Sequence, residues 1–245
     1  MDKTGGRVWE PEQELSYENR STKGTRDIML SKKNIAVYGI GFLAMIIALG
    51  WAGAEIAAAG SAAEKQNADV YWHANTGKSG IVEGAGARLV RTDNNVSASF
   101  KAKDLNPGNV YTLWWIIVNN PDACAAFPCT APEVLFNTDV QADVTYGGGI
   151  VAGDSGKGTI SSHLAVGDLA NSWIGNGFQD ARNSEIHLVV NDHGPKIPGQ
   201  LGDMLHTYRG GCTNESLIYP FPPTAKSDGI PGPNTCILYQ AAAFQ

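Results

Sequence analysis

A stretch without charges, Asn34 to Ala54, follows the pair Lys32-Lys33, and all four cysteines come after it. A helix needs roughly 20 apolar residues to cross about 30 Å of hydrocarbon, and the run Ile35 to Leu49 with its flanks meets that requirement. The paired lysines hold the preceding segment in the cytoplasm, so everything beyond about Ala59 is expected to be exported. The chain then divides into a cytoplasmic disordered tail (1–33), an apolar helix (34–59), a linker (60–80) and an exported domain (81–245). Two fates fit the helix. As a signal anchor it keeps the domain on the membrane, with Trp51 near the outer interface; as a cleaved signal peptide it ends in the small residues Ala57 to Ala63. A start at Met29 would make Met29-Leu-Ser-Lys-Lys33 an ordinary n-region.

The tail mixes Glu10, Glu12, Glu14 and Glu18 with Arg7, Arg20, Lys23 and Arg26, and has no helical period, as a disordered segment does. A formal charge of −6 and a pI near 5.3 argue against a nucleic-acid partner, which would require a basic face. Four cysteines in an exported domain are expected to be oxidised, and they allow three pairings. Cys124 and Cys129 close a tight loop, whereas Cys212 and Cys236 bracket a Pro/Gly-rich excursion, so each is expected to pair with its local partner. A metal-thiolate site is the rival, but these spacings match no zinc pattern.

Downstream of the helix, short strand-like runs alternate with turn residues. In Val96 to Ala102, Val96, Ala98, Phe100 and Ala102 share one face while Ser97, Ser99 and Lys101 share the other, as in a half-solvated antiparallel strand. Ala87 to Arg91 precedes it across the turn Thr92 to Asn95 and completes a hairpin. Further strands are expected over 142–146, 158–166, 185–191, 205–208 and 237–244. About 180 residues in such strands can bury a substantial core as one sandwich.

Leu105-Asn-Pro-Gly-Asn-Val-Tyr111 leads into Thr112-Leu-Trp-Trp-Ile-Ile-Val118. The Leu-x-Pro-Gly-x-x-Tyr pattern resembles the tyrosine corner of fibronectin-III and immunoglobulin-like sandwiches. That resemblance implies a hydroxyl-to-backbone bond from Tyr111 and a Greek-key β-sandwich. The strand is apolar on both faces, so a long loop or a partner must cover the second one. More broadly, Tyr111 to Trp115, Asn119-Asn-Pro-x-x-Cys124, Glu185-Ile-His-Leu-Val-Val190 with His193-Gly-Pro195, and Gly210-Gly-Cys212 resemble a poorly characterised group of secreted prokaryotic proteins. This resemblance, from about Gly84 to the C-terminus, implies export and a β-sandwich but no particular activity.

Chemistry is sought first among the five histidines, His73, His163, His187, His193 and His206. In Glu185 to Asn191 the core face is Ile186, Leu188 and Val190, which leaves His187 on the less apolar side, as His163 is in Thr159 to Ala165. If those strands pair, the two imidazoles are cross-strand neighbours, and with His206 they form a candidate copper or zinc set. His193 fits a loop histidine that bonds a nearby carbonyl before the Gly194-Pro195 turn. Nucleophilic catalysis finds no G-x-S-x-G elbow, and Gly153-Asp-Ser-Gly156 fits a turn.

The sequence therefore predicts an all-β, antiparallel, Greek-key, immunoglobulin-like sandwich behind one N-terminal apolar helix. The favoured function is an extracytoplasmic envelope binding or structural module without catalytic activity. Its expected partners are the membrane, if the helix stays, and an envelope protein or glycan. A copper- or zinc-binding protein using His163, His187 and His206 is the alternative.

Overall fold

The computed structural model describes residues 62–216 and 221–245, so the expected tail (1–33) and apolar helix (34–59) lie outside the described residues. Among the described residues no helix is long and apolar enough to cross a membrane. The strands are β1 (Glu64–Ala68), β2 (Tyr71–Trp72), β3 (Gly86–Arg91), β4 (Asn95–Ala102), β5 (Asn109–Val118), β6 (Ala142–Val151), β7 (Gly158–Ala165), β8 (Glu185–Pro195) and β9 (Ile237–Phe244). They form a four-stranded sheet, β1-β3-β4-β7, and a five-stranded sheet, β2-β9-β8-β5-β6. Every pairing is antiparallel.

Alternation along the strands builds the core between the sheets. The four-stranded sheet sends in Ala87, Leu89, Val96, Ala98 and Phe100; the other sends in Leu113, Trp115, Ile117, Ile186, Leu188 and Val190. Trp115 is fully buried. Its indole N–H donates to Ser162 Oγ of β7 at 2.7 Å, the kind of partner a buried tryptophan requires. Gln240 and Tyr239 of β9 tie the five-stranded sheet to the crossing chain through the Lys103 and Asp104 carbonyls.

The other face of β5 is covered by the chain itself. Helices α1 (Ala131–Phe136) and α3 (Pro223–Ser227) contribute Val134 and Ala225 to this face, and α2 (Leu201–His206) packs against β5 and β6. Trp173 comes from a loop whose ends, Leu169 and Phe178, reach the inter-sheet core. Trp114, Val118, Ala142 and Val144 pack with Val134, Trp173, Tyr208, Phe221 and Ala225 in a second apolar cluster. Its rings meet at centroid distances of 4.7 Å (Trp173–Tyr208) and 5.1 Å (Trp114–Trp173), mostly edge-to-face or tilted, as aromatic quadrupoles prefer. That cluster explains why β5 is apolar on both faces.

Two expectations need correction. The segment 60–80 is not a linker, because it supplies β1 and β2. The run Glu64-Lys-Gln-Asn-Ala68 shows no apolar alternation because an edge strand on a half-solvated sheet needs little of it, and here Ala68 packs inward. No strand forms over 205–208: Leu205 and His206 end α2, whose turn buries Met204, and Thr207 and Tyr208 follow it outside any strand.

Candidate functional site

The buried polar groups come first, since an unpaired one can mark a site. Among the described residues one guanidinium nitrogen of Arg91, Trp173 Nε1, Gln200 Oε1, Arg209 Nε and Gln240 Oε1 are buried without a hydrogen-bond partner, and no titratable cluster accompanies them. β8 extends to Pro195, so His193 is a strand residue and is fully buried. Trp114 Nε1 can only donate, and it donates to Thr112 Oγ1 at 2.8 Å. The Gly210 carbonyl can only accept, so the His193 proton lies on Nδ1, which donates to it at 2.8 Å. Nε2 is then the acceptor, and the Thr112 hydroxyl donates to it at 2.7 Å. This chain fixes one neutral tautomer, and burial lowers the imidazole pKa to about 4.

The buried carboxylates serve the same architectural end. Asp143 accepts from the Val144 N–H (2.8 Å), Ser172 Oγ (2.7 Å), the Ile174 N–H (3.2 Å) and the Gly177 N–H (2.7 Å), pinning to β6 the loop that carries Trp173. Asp192 closes the end of the inter-sheet core. The Tyr111 hydroxyl accepts the Asn106 N–H at 2.9 Å and donates to Asp192 Oδ2 at 3.0 Å. Asn109 and the Gly194 N–H also donate to Asp192, while burial pushes its pKa up. Glu185 Oε1 accepts from His187 Nε2 and from the Cys129 N–H. At the opposite end Arg91, fully buried, donates to the Ala181 and Ser184 carbonyls at 3.0 and 2.9 Å, and burial lowers its pKa.

The expected metal set is not assembled. β7 pairs with β4 and β8 with β5 and β9, so His163 and His187 lie in different sheets. His163 is exposed beside Ser97 Oγ (3.0 Å), His187 is buried against Glu185, and His206, exposed at the end of α2, bonds the Gly202 carbonyl at 2.7 Å. Equivalent positions in two alternating strands carry no information about which sheet each strand joins, and that is where the pairing premise fails. One His/Cys group does converge among the described residues, His193 with Cys212 and Cys236. Its sulfurs are joined to each other, and Cys124 is joined to Cys129, both at Cα separations near those of ordinary disulfides (5.4 and 5.5 Å).

Among the described residues nothing packs over the outer face of the four-stranded sheet. Arg88, Lys101, Thr159, Ser161 and His163 are exposed there, with Ser97, Ser99 and Val90 half-buried. A shallow groove across it is lined by Asn67, Asp69, Arg88, Ser99 and Lys101. The alternation in β4 already placed Ser97, Ser99 and Lys101 on one face. The neighbours that complete the surface, from β1, β3 and β7, needed the strand order.

Fold and bridges together define a disulfide-bridged antiparallel β-sandwich, with bridges suited to an oxidising, extracytoplasmic setting. No protein-family model, curated protein or solved structure matches the chain.

Proposed function

We propose that the chain is an exported, non-catalytic module of the cell envelope that engages its partner through the outer face of the four-stranded sheet. The observation that carries this reading is the contrast between the two outer faces. The five-stranded sheet is roofed by an aromatic cluster to which short helices contribute. Three of its buried polar groups, His193, Asp143 and Glu185, are tied to protein partners, while among the described residues Trp173 Nε1 and Gln240 Oε1 are left without one. The four-stranded sheet is polar on its outer face over four strands, with none of the described residues packed over it. Motif residues behind the resemblance to secreted prokaryotic proteins, among them Trp114, His193 and Gly210, join in one hydrogen-bond chain, which suits a structural role for them. The crossings β4 to β5, β6 to β7 and β7 to β8 between sheets suit a Greek-key winding of the immunoglobulin-like kind.

Site-selective blocking tests the reading. Ser161→Cys on the bare face and Ser227→Cys on α3 are each labelled with a bulky maleimide, and association of the full chain with isolated envelopes is measured. The label at position 161 should abolish association and that at 227 should leave it intact. Equal association of both labelled proteins would refute the use of this face.

A further inference from the structure

We propose that the outer face of the four-stranded sheet binds a polyanionic glycan, a carboxylate- or phosphate-bearing sugar chain. This inference rests on the binding-module reading and adds the chemical class of the ligand. The strand register places the side chains. Lys65 lies opposite Val90, Asn67 opposite Arg88, Arg88 opposite Ser99, and Lys101 opposite Gly86. Lys65, Arg88 and Lys101 therefore fall on one straight diagonal across β1, β3 and β4, with diagonal neighbours about 7–8 Å apart. Continued past β4, the same line runs toward Lys157, which just precedes β7.

Among the outward positions of the four strands there is no carboxylate, in a chain with 24 acidic and 18 basic residues. Asp69, just beyond β1, is the acid in the groove. Among the described residues none of Lys65, Arg88 and Lys101 forms an ion pair. Lysines on edge strands guard against sheet-to-sheet pairing, but β3 and β4 are central in the sheet, so that role does not account for Arg88 or Lys101. The cationic diagonal is flanked by hydrogen-bonding side chains from Asn67, Ser97, Ser99, Thr159 and Ser161. An array of fixed cations beside hydroxyl and amide groups is complementary to a sugar chain that carries regular negative charge. A membrane surface fits less well, since interfacial binding needs apolar side chains to insert, and the outward apolar side chains here are the half-buried Val90 and the small Ala165. Nucleic-acid single strands call for stacking aromatics, and these outward positions hold none.

The test uses the full chain in non-ionic detergent, with polygalacturonate as the probe, uncharged dextran as its neutral counterpart, and anionic phospholipid vesicles as the third arm. Polygalacturonate should bind at low ionic strength and be released at about 0.5 M salt, where charges are screened within a few ångströms. Arg88→Gln with Lys101→Gln should weaken binding about tenfold. The control Lys196→Gln with Lys226→Gln, which removes the same charge elsewhere, should leave it within about twofold of wild type. Equal loss in both double variants, no binding to polygalacturonate, or tighter binding to the vesicles would overturn the proposal. Dextran bound as well as polygalacturonate would overturn the anionic class alone. The wider reading falls only if blocking position 161 leaves envelope association intact.

Discussion

Lowering the pH from 7.5 to 4 should weaken the fold through His193, and the size of the effect follows from its burial. The folded imidazole has its pKa lowered from 6.5 to about 4. Between those values the unfolded chain binds a proton that the folded chain refuses, so the stability conferred by the neutral ring is complete above about pH 6.5. It declines as the pH falls, by up to about 1.4 kcal/mol per pH unit, and is fully lost below about pH 4, a total of about 3 kcal/mol. His73, also lowered to about 4 mainly by burial, adds in the same direction, and by less because it is partly exposed. Asp192 and Asp228 act oppositely. Burial raises their folded pKa values, so their folded carboxyls take up protons first and offset part of the loss. A comparison of wild type with His193→Gln cancels these other groups. Urea midpoints of the disulfide-intact chain at intervals down to pH 4 should fall less steeply in the variant, by up to about 1.4 kcal/mol per pH unit. In the folded wild type the His193 ring signals should titrate near pH 4 by NMR. A midpoint near 6.5, or identical slopes in the two proteins, would refute the buried neutral tautomer.

Asp143→Ala removes the acceptor of the hydrogen bonds from Ser172, Ile174 and Gly177 of one loop, each worth about 1.5–3 kcal/mol when made to a charged group. It should cost about 3–5 kcal/mol and flatten the near-ultraviolet circular dichroism around Trp173; a loss under about 1 kcal/mol would show that the loop is held by its apolar contacts alone. Replacing Cys212 and Cys236 together by alanine opens a ring with a sequence separation of 24, worth about 3.5 kcal/mol in the chain-entropy model. The Cys124–Cys129 ring, with a separation of 5, should be worth about 2 kcal/mol. Thermal melts of the two double variants should rank in that order, and the reverse ranking would contradict it.

The parts of this architecture that were legible in the sequence are those set by period-2 alternation. Val96 to Ala102 and Ile186 to Val190 point their apolar residues inward as their pattern requires, and both ends of the 212–236 excursion pair locally. Sheet membership was not legible, because alternation fixes which way a side chain points and says nothing about the neighbouring strand. For that reason His163 and His187 looked like neighbours. β1 was hidden because an edge strand of polar residues resembles a linker. His193 is not the loop histidine expected before a Gly194-Pro195 turn: β8 runs through Pro195, and the carbonyl it bonds, Gly210, is 17 residues away and brought over the strand by the tertiary fold. Arg91 could have been flagged, since it continues the inward series Ala87 and Leu89; its partners Ala181 and Ser184 lie about 90 residues downstream.

The most direct test of the central claim is lysine footprinting of the full chain in its own envelope, compared with the same chain in detergent. Acetylation of Lys65 and Lys101 should be suppressed in the envelope, while Lys196 and Lys226 react equally in both states. Protection at Lys196 and Lys226 with Lys65 and Lys101 left reactive would place the partner elsewhere and contradict a functional role for the bare sheet face.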